Sequence, residues 1–287
     1  MNIEIGILMA FLAMFCWAFG DFFIQRSTRK VGDIQSLAFI GIIGGIILTP
    51  FIIKDFKLLF SLSNIILLSV LGVITFFAAL FNFEALKKGK LSIVDVIIEI
   101  ELPVTIILAY FFFKESLSLP QFSAIFLIFI GIILVATKSF SHWKVKIERG
   151  LILAVIAAIG MGFIDFLTSA SSRAISPIMA IWFPWMIFSI LCLAVIIKRG
   201  EFGLFTKNAS KFKWLLIAMA LFDTFAWLFY AYAVNKNDIA VITAITECYP
   251  ALAMFLGLWI NKERINFHQY LGAALAITAS IALAFFI

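Results

Sequence analysis

Trp17-Ala18-Phe19-Gly20-Asp21-Phe22 and Met161-Gly162-Phe163-Ile164-Asp165-Phe166 stand 144 residues apart and share one pattern: large, small, Phe, any residue, Asp, Phe. The match continues through Ser27/Ser171, Thr28/Ser172 and Arg29/Arg173. Further along the offset becomes 148, because the loop around Glu201–Ser210 is longer than its counterpart. At that offset Phe77-Ala78 meets Phe225-Ala226, Leu80-Phe81 meets Leu228-Phe229, Asn82 meets Tyr230, and Glu99 meets Glu247. Glu115 meets Glu263 and Gln121 meets Gln269, while Pro103 and Pro250 agree to within one residue. Self-similarity at a fixed period marks a unit used more than once. Residues 1–138 and 150–287 are the two expected units.

Each copy of the motif lies in a long apolar stretch, and so does most of the chain. Of 287 residues 64% are apolar and 13% charged, against about 45–50% and about 25% in soluble domains. A soluble fold cannot hide that much apolar surface, and disordered chains are poor in apolar residues. The composition suits a bilayer, so the chain reads as an all-α, multi-pass protein of the cell membrane.

A helix needs about 20 apolar residues to cross the hydrocarbon core. Ten such segments are expected, roughly at 5–25, 34–53, 64–86, 91–113, 121–137, 150–171, 178–197, 213–234, 239–260 and 268–287. Pro120 and Pro177 fall in the first turn of their helices, where a missing N–H costs nothing. The segments are apolar all round, unlike the short alternating strands of a barrel. The first is too long, and lacks the basic flank, for a cleaved signal peptide. Two units of five spans require the second to be inverted, an arrangement typical of secondary transporters. Of the 22 basic residues, 17 fall in the loops of one side and five in those of the other. The bias of Lys and Arg toward the cytoplasm then puts both termini outside.

The chain resembles a ten-span carrier of the drug/metabolite transporter superfamily, of the EamA type. The resemblance rests on Trp17 to Phe22 and Met161 to Phe166, on Pro103 and Pro250 in the fourth span of each unit, on Lys114-Glu115 and Lys262-Glu263 at that span's end, and on Gln121 and Gln269 opening the next. It covers nearly the whole chain. It implies a central cavity lined by spans 1, 3, 4, 6, 8 and 9, and both termini in the cytoplasm, opposite to the basic-residue count.

Eight of the 16 acidic residues fall within or near the ends of spans: Asp21, Glu84, Asp95, Glu99, Glu101, Asp165, Asp223 and Glu247. No Lys or Arg lies comparably deep. An ionisable group at the bilayer centre costs roughly 2.5–3.5 kcal/mol or more and is a functional candidate by default. Asp21 and Asp165, duplicated across the repeat, are the first candidates to bind a proton or a cationic group. Glu99 and Glu247 are the second. A proline removes the hydrogen bond to the carbonyl four residues earlier, so Pro103 and Pro250 are expected to kink their spans beside these glutamates. The competing reading makes the acids protonated packing groups and the prolines simple kinks. Glu84 and Asp95 rank lower, as interfacial. On a continuous helix Glu101 points about 200° away from Glu99 and is assigned to packing.

Residues four apart share a helix face, which aligns Trp17 with Asp21 and Asp223 with Trp227. With Tyr230 and its repeat partner Asn82 they are expected to line a substrate cavity, or else to pack a core. Trp182, Trp185 and Trp214 read as interface anchors, and Glu115 and Glu263 as structural. Gly41, Gly44, Gly160 and Gly162 allow close helix approach. Cys16, Cys192 and Cys248 read as small buried hydrophobes. His142 and His268 lie in loops, so no metal site and no cofactor are expected. Walker A, HExxH and GxSxG motifs are absent from the sequence, so an enzyme is not expected. Without a deep base to clamp a phosphate or carboxylate, the expected partner is a neutral or cationic small molecule. Beyond the lipid bilayer no macromolecular partner is implied: there is no compact basic patch for nucleic acid, and the chain acts as a monomer or a homodimer. The expected function is secondary active transport of small organic metabolites or drugs, coupled to protons or to exchange. The alternatives are a passive channel or uniporter and a non-transporting scaffold.

Overall fold

The computed structural model describes residues 3–88, 98–137, 149–260 and 266–286. Asp95, His142 and the pair Lys262-Glu263 lie outside them. The first half contains α1 (Ile3–Val31), α2 (Asp33–Leu48), α3 (Leu62–Lys88), α4 (Glu101–Phe113) and α5 (Leu119–Ala136). The second contains α6 (Arg149–Ala174), α7 (Pro177–Lys198), α8 (Phe202–Lys211), α9 (Lys213–Val234), α10 (Ile239–Thr246), α11 (Tyr249–Ile260) and α12 (Phe267–Ala284). Two short 3-10 turns, Thr49–Phe51 and Phe56–Phe60, join α2 to α3. No strand occurs among the described residues.

Eight of these helices are long and apolar enough to cross a membrane, namely α1, α2, α3, α5, α6, α7, α9 and α12. Two apolar stretches are shorter, Glu101–Phe113 and Ile239–Ala253, and at the 148-residue offset they share only positions 101–105 and 249–253. The outer surface suits lipid: Phe111, Phe112, Phe126, Ile190 and Ile197 are all exposed. Polar side chains concentrate inside, with Asp165, Ser169, Thr224 and Thr243 at 1% exposure or less.

Helix pairing follows the repeat. The most extensive contacts are α1 with α9 and α3 with α6, which exchange when the halves are swapped. The next two, α5 with α12 and α2 with α7, map onto themselves. The α5–α12 crossing is tight: a Cβ on Gly131 would fall 2.7 Å from the Gly272 carbonyl, and one on Gly272 would fall 2.6 Å from the Gly131 carbonyl. Only a residue without a side chain lets the two backbones meet there.

The longer loop of the second half is a short helix, α8, rather than irregular chain. Phe205 stacks on Phe39 with ring centroids 4.3 Å apart, and Asn208 Nδ2 donates to Gln35 Oε1 at 2.8 Å. These contacts pin α8 to the start of α2.

Candidate functional site

The stretch that carries the glutamate pair is broken in both halves. Ile98 is helical, Glu99 and Ile100 form a turn, and α4 begins at Glu101. In the second half α10 ends at Thr246, Glu247 and Cys248 form a turn, and α11 begins at Tyr249. The two breaks are 148 residues apart. Pro103 is the third residue of α4 and Pro250 the second of α11. At those positions a helix has no use for the missing N–H. The prolines thus stand at the start of a new helix, and the structure has a full break where a kink was expected.

Between the halves lies a cavity of about 150 Å³. Trp17, Asp21, Asn82, Asp165, Asp223, Trp227 and Glu247, all named from the sequence, line it. Among the described residues five carboxyl groups reach its wall, those of Asp21, Glu101, Asp165, Asp223 and Glu247, and no Lys or Arg does. Leu37 and Ile40 of α2 and Trp185 and Phe188 of α7 also contribute. The second and seventh spans therefore join the lining, beyond the six that the resemblance implies. The close glycines Gly41 and Gly44 explain this, because they bring α2 against Trp185 and Phe188 of α7.

The acids fall into two groups. Glu101, Asp165 and Glu247 have carboxylate oxygens within 4.8 Å of one another, all three residues being buried. Glu101 and Asp165 are hydrogen-bonded, which requires a proton between the two carboxyls. Thr105 Oγ1 lies 3.2 Å from Asp165 Oδ2 and 3.1 Å from the Glu101 carbonyl, joining the same group. Oxygen ligands so arranged suit a proton or a hard cation. In the second group, Gly20 packs against the backbone of Asp223, so that Asp21 and Asp223 adjoin where α1 and α9 cross. The Tyr249 side chain lies beside Asp21.

Aromatic rings surround the second group. The Trp17 ring lies 5.0 Å from that of Trp227 at 85°, 5.6 Å from Tyr230 and 6.2 Å from Tyr249. Trp227 in turn lies 6.1 Å from Trp185 at 74°. Tyr230 is fully buried behind this wall, bonded to Thr243 Oγ1 at 2.8 Å, and does not line the cavity. Glu99 is buried at the break and also lies outside the lining.

Away from the cavity, Arg173 in the last turn of α6 ties the halves together. Its Nε donates to the Val234 carbonyl at 2.8 Å, and its Nη2 donates to Glu115 Oε1 at 2.8 Å. Glu115 Oε2 accepts from the backbone N–H of Ile239 at 2.8 Å, capping α10. Burial outweighs Arg173 and the backbone N–H, and holds the Glu115 carboxyl above its ordinary titration range.

The model of the EamA-like transporter family matches twice, over residues 4–137 and 148–285. The chain belongs to the EamA-like transporter family. It is a multi-pass membrane protein with the two-repeat architecture of that family. An uncharacterised protein of Methanocaldococcus jannaschii is 30% identical over 137 residues, which are 47% of this chain and 99% of that protein. That relative is therefore about as long as a single repeat. A protein of known crystal structure shares the fold with a TM-score of 0.78 at 14% identity, over 98% of this chain and 96% of that one.

Two assignments are corrected within this EamA fold. Trp185 is not an interface anchor: it is 3% exposed and faces Trp227 across the cavity wall. Glu101 is not a packing residue pointing away from the site: it lines the cavity beside Asp165. The break at Glu99 and Ile100 interrupts the helix, so angular counting across it fails. Trp214, at 74% exposure, is open to the lipid or its interface, and Trp182 Nε1 donates to Thr49 Oγ1 at 3.0 Å near the end of α2.

Proposed function

We propose that this EamA-family protein crosses the membrane ten times as two inverted five-helix units and is a secondary active transporter of small organic solutes. The apolar stretches that carry Glu99 and Glu247 are then the fourth and ninth crossings, each interrupted at its glutamate near mid-membrane. Broken helices in matching places of two repeats mark the substrate and ion site of such carriers. The solute is neutral or cationic, since among the described residues the cavity wall carries five carboxyls and no base. The coupling species is a proton or an exchanged solute, bound among Asp21, Asp165, Glu99 and Glu247. Rocking of one half against the other would open the cavity to each side in turn.

The observation that carries this reading is the placement of the duplicated aspartates, Asp21 and Asp165, on the wall of one cavity between the halves. The test uses proteoliposomes that enclose a pH-sensitive dye and meet a panel of small neutral and cationic solutes under an imposed proton gradient. Solute-dependent proton movement is expected, and its loss in the Asp21→Asn, Asp165→Asn double variant. Movement unchanged in that variant overturns the assignment of the aspartates. Solute flux insensitive to any gradient points instead to a passive channel, and absence of flux to a scaffold.

A further inference from the structure

The two halves meet the cavity with different chemistry at equivalent positions. Trp17 stands where the other half has Met161, Tyr249 where it has Glu101, and Asp223 where it has Thr75. One wall therefore holds carboxyls gathered on one another, Glu101, Asp165 and Glu247. The other holds two aspartates among Trp17, Trp185, Trp227 and Tyr249. We propose that this second wall is a binding site for an organic ammonium group, with the aromatic rings receiving the cation and Asp21 and Asp223 balancing its charge. The inference deepens the transport reading by naming its substrate class and rests on it for the meaning of the cavity.

Three observations lead to an ammonium ion. The first is ring geometry. Trp17 and Trp227 meet at 85°, and Trp227 and Trp185 at 74°. Rings that meet nearly at right angles turn their faces in different directions, and all four of Trp17, Trp185, Trp227 and Tyr249 border the same cavity. Aromatic walls of this kind attract cations through the negative face of the ring, and cages of them recognise alkylated ammonium groups. The second is charge: Asp21 and Asp223 adjoin at the same wall, and among the described residues the lining holds no Lys or Arg to balance them. The third is an unmet donor. Trp185 is 3% exposed and lines the cavity, yet its Nε1–H has no acceptor among the described residues. A buried indole N–H normally finds one, so a ligand bearing an oxygen near its cationic head would complete the site. The size agrees, since a cavity of about 150 Å³ accommodates a group as large as benzene. The gathered carboxyls opposite remain available for the coupling proton.

The test is equilibrium binding by calorimetry to the purified full chain in lipid nanodiscs. The probes are tetramethylammonium, choline and benzyltrimethylammonium, with 3,3-dimethyl-1-butanol as the uncharged isostere of choline. At least one ammonium ion should bind, and the uncharged isostere at least tenfold more weakly than choline. Asp223→Asn and Trp227→Leu should each weaken binding at least tenfold, and Trp227→Phe, which keeps a ring, should recover part of it. Trp214→Phe, on the exposed surface, should bind as the unaltered protein does. Thermal melts establish that each variant is folded. Equal binding of choline and its isostere, unaltered binding by folded Asp223→Asn or Trp227→Leu, or binding of none of the three cations overturns the proposal. Ammonium binding without proton-coupled flux would sink the transport reading and keep this one. Gradient-driven flux of neutral solutes without ammonium binding would do the reverse.

Discussion

Arg173 and Glu115 form an ion pair at 2.8 Å that joins the two halves of the protein at one end of the cavity-bearing core. Glu115 belongs to the first half, whereas Arg173 and the other groups bound to the pair, the Val234 and Asn237 carbonyls and the Ile239 and Ala240 N–H groups, belong to the second. Any rocking of the halves must break or carry this contact. Glu115→Ala leaves a half-buried guanidinium and the start of α10 without their acceptor. That should cost about 1–3 kcal/mol, read as a lower melting temperature in detergent, and should speed maleimide labelling of a cysteine placed at Asp238. Glu115→Gln keeps an acceptor for the Ile239 N–H and should lose less. Labelling equal to that of the unaltered protein would show that the pair holds nothing closed.

The same carboxyl makes the contact sensitive to pH. Its titration lies above the ordinary carboxylate range because burial disfavours the charged form. The folded chain therefore binds this proton more tightly than the unfolded chain does. As pH falls through the raised value Glu115 is neutralised, and its charge pairing with Arg173 is lost without a penalty to the fold from this group. Maleimide reacts with the thiolate, so labelling of a cysteine placed at position 238 slows with acid in any background. The ratio of its rate with Glu115 present to its rate in Glu115→Gln should rise as pH falls.

Glu101 and Asp165 share a hydrogen bond that needs a proton. Glutamine at 101 keeps the shape and can donate, but it cannot release a proton. Proton-driven accumulation should fall at least tenfold in Glu101→Gln, while solute-for-solute exchange across the same vesicles continues. Loss of both activities would place Glu101 in solute binding rather than in coupling.

Much of this was legible because a bilayer forces long apolar helices, and because a duplicated chain repeats its deep charges. Asp21 and Asp165 are visible as a pair, and both line the cavity. Glu101 is not legible, because helical angles do not carry through Glu99 and Ile100, where the helix stops. Residue type alone makes Trp185 an anchor, whereas as the ninth residue of α7 it lies about 12 Å from that helix's start at 1.5 Å per residue. The α8 helix hid in polar loop composition, and its only visible sign was Phe202 and Phe205 one helical turn apart. The gathering of Glu101, Asp165 and Glu247 depends on two helices and a turn drawn from both halves, which no local pattern encodes.

The duplicated glutamines serve the fold away from the cavity. Gln121 Oε1 accepts from the Ser118 N–H and Gln269 Oε1 from the Asn266 N–H, each at 2.9 Å. Their amide nitrogens reach across, Gln121 Nε2 to the Phe286 carbonyl at 3.3 Å and Gln269 Nε2 to the Val135 carbonyl at 2.8 Å. Each therefore caps its own helix and clasps the end of its partner. Alanine at either position should cost about 1 kcal/mol, read as a modest fall in melting temperature. Neither α5 nor α12 lines the cavity, so flux per folded molecule should be unchanged.

The same helix pair offers a sharper separation of stability from activity. A methyl group on Gly131 would sit 2.7 Å from both the Ala276 nitrogen and the Gly272 carbonyl. Both are backbone atoms, which no rotamer change can move aside. Gly131→Ala must therefore push α5 and α12 apart, at a cost of about 1–3 kcal/mol for overpacking. A helical Gly→Ala change in open space would instead gain about 1 kcal/mol from propensity. The sign of the shift in melting temperature thus decides whether the crossing is as close as described. A fall with flux per folded molecule retained identifies the α5–α12 pair as a scaffold beside the moving core. A rise would show that the backbones do not touch there.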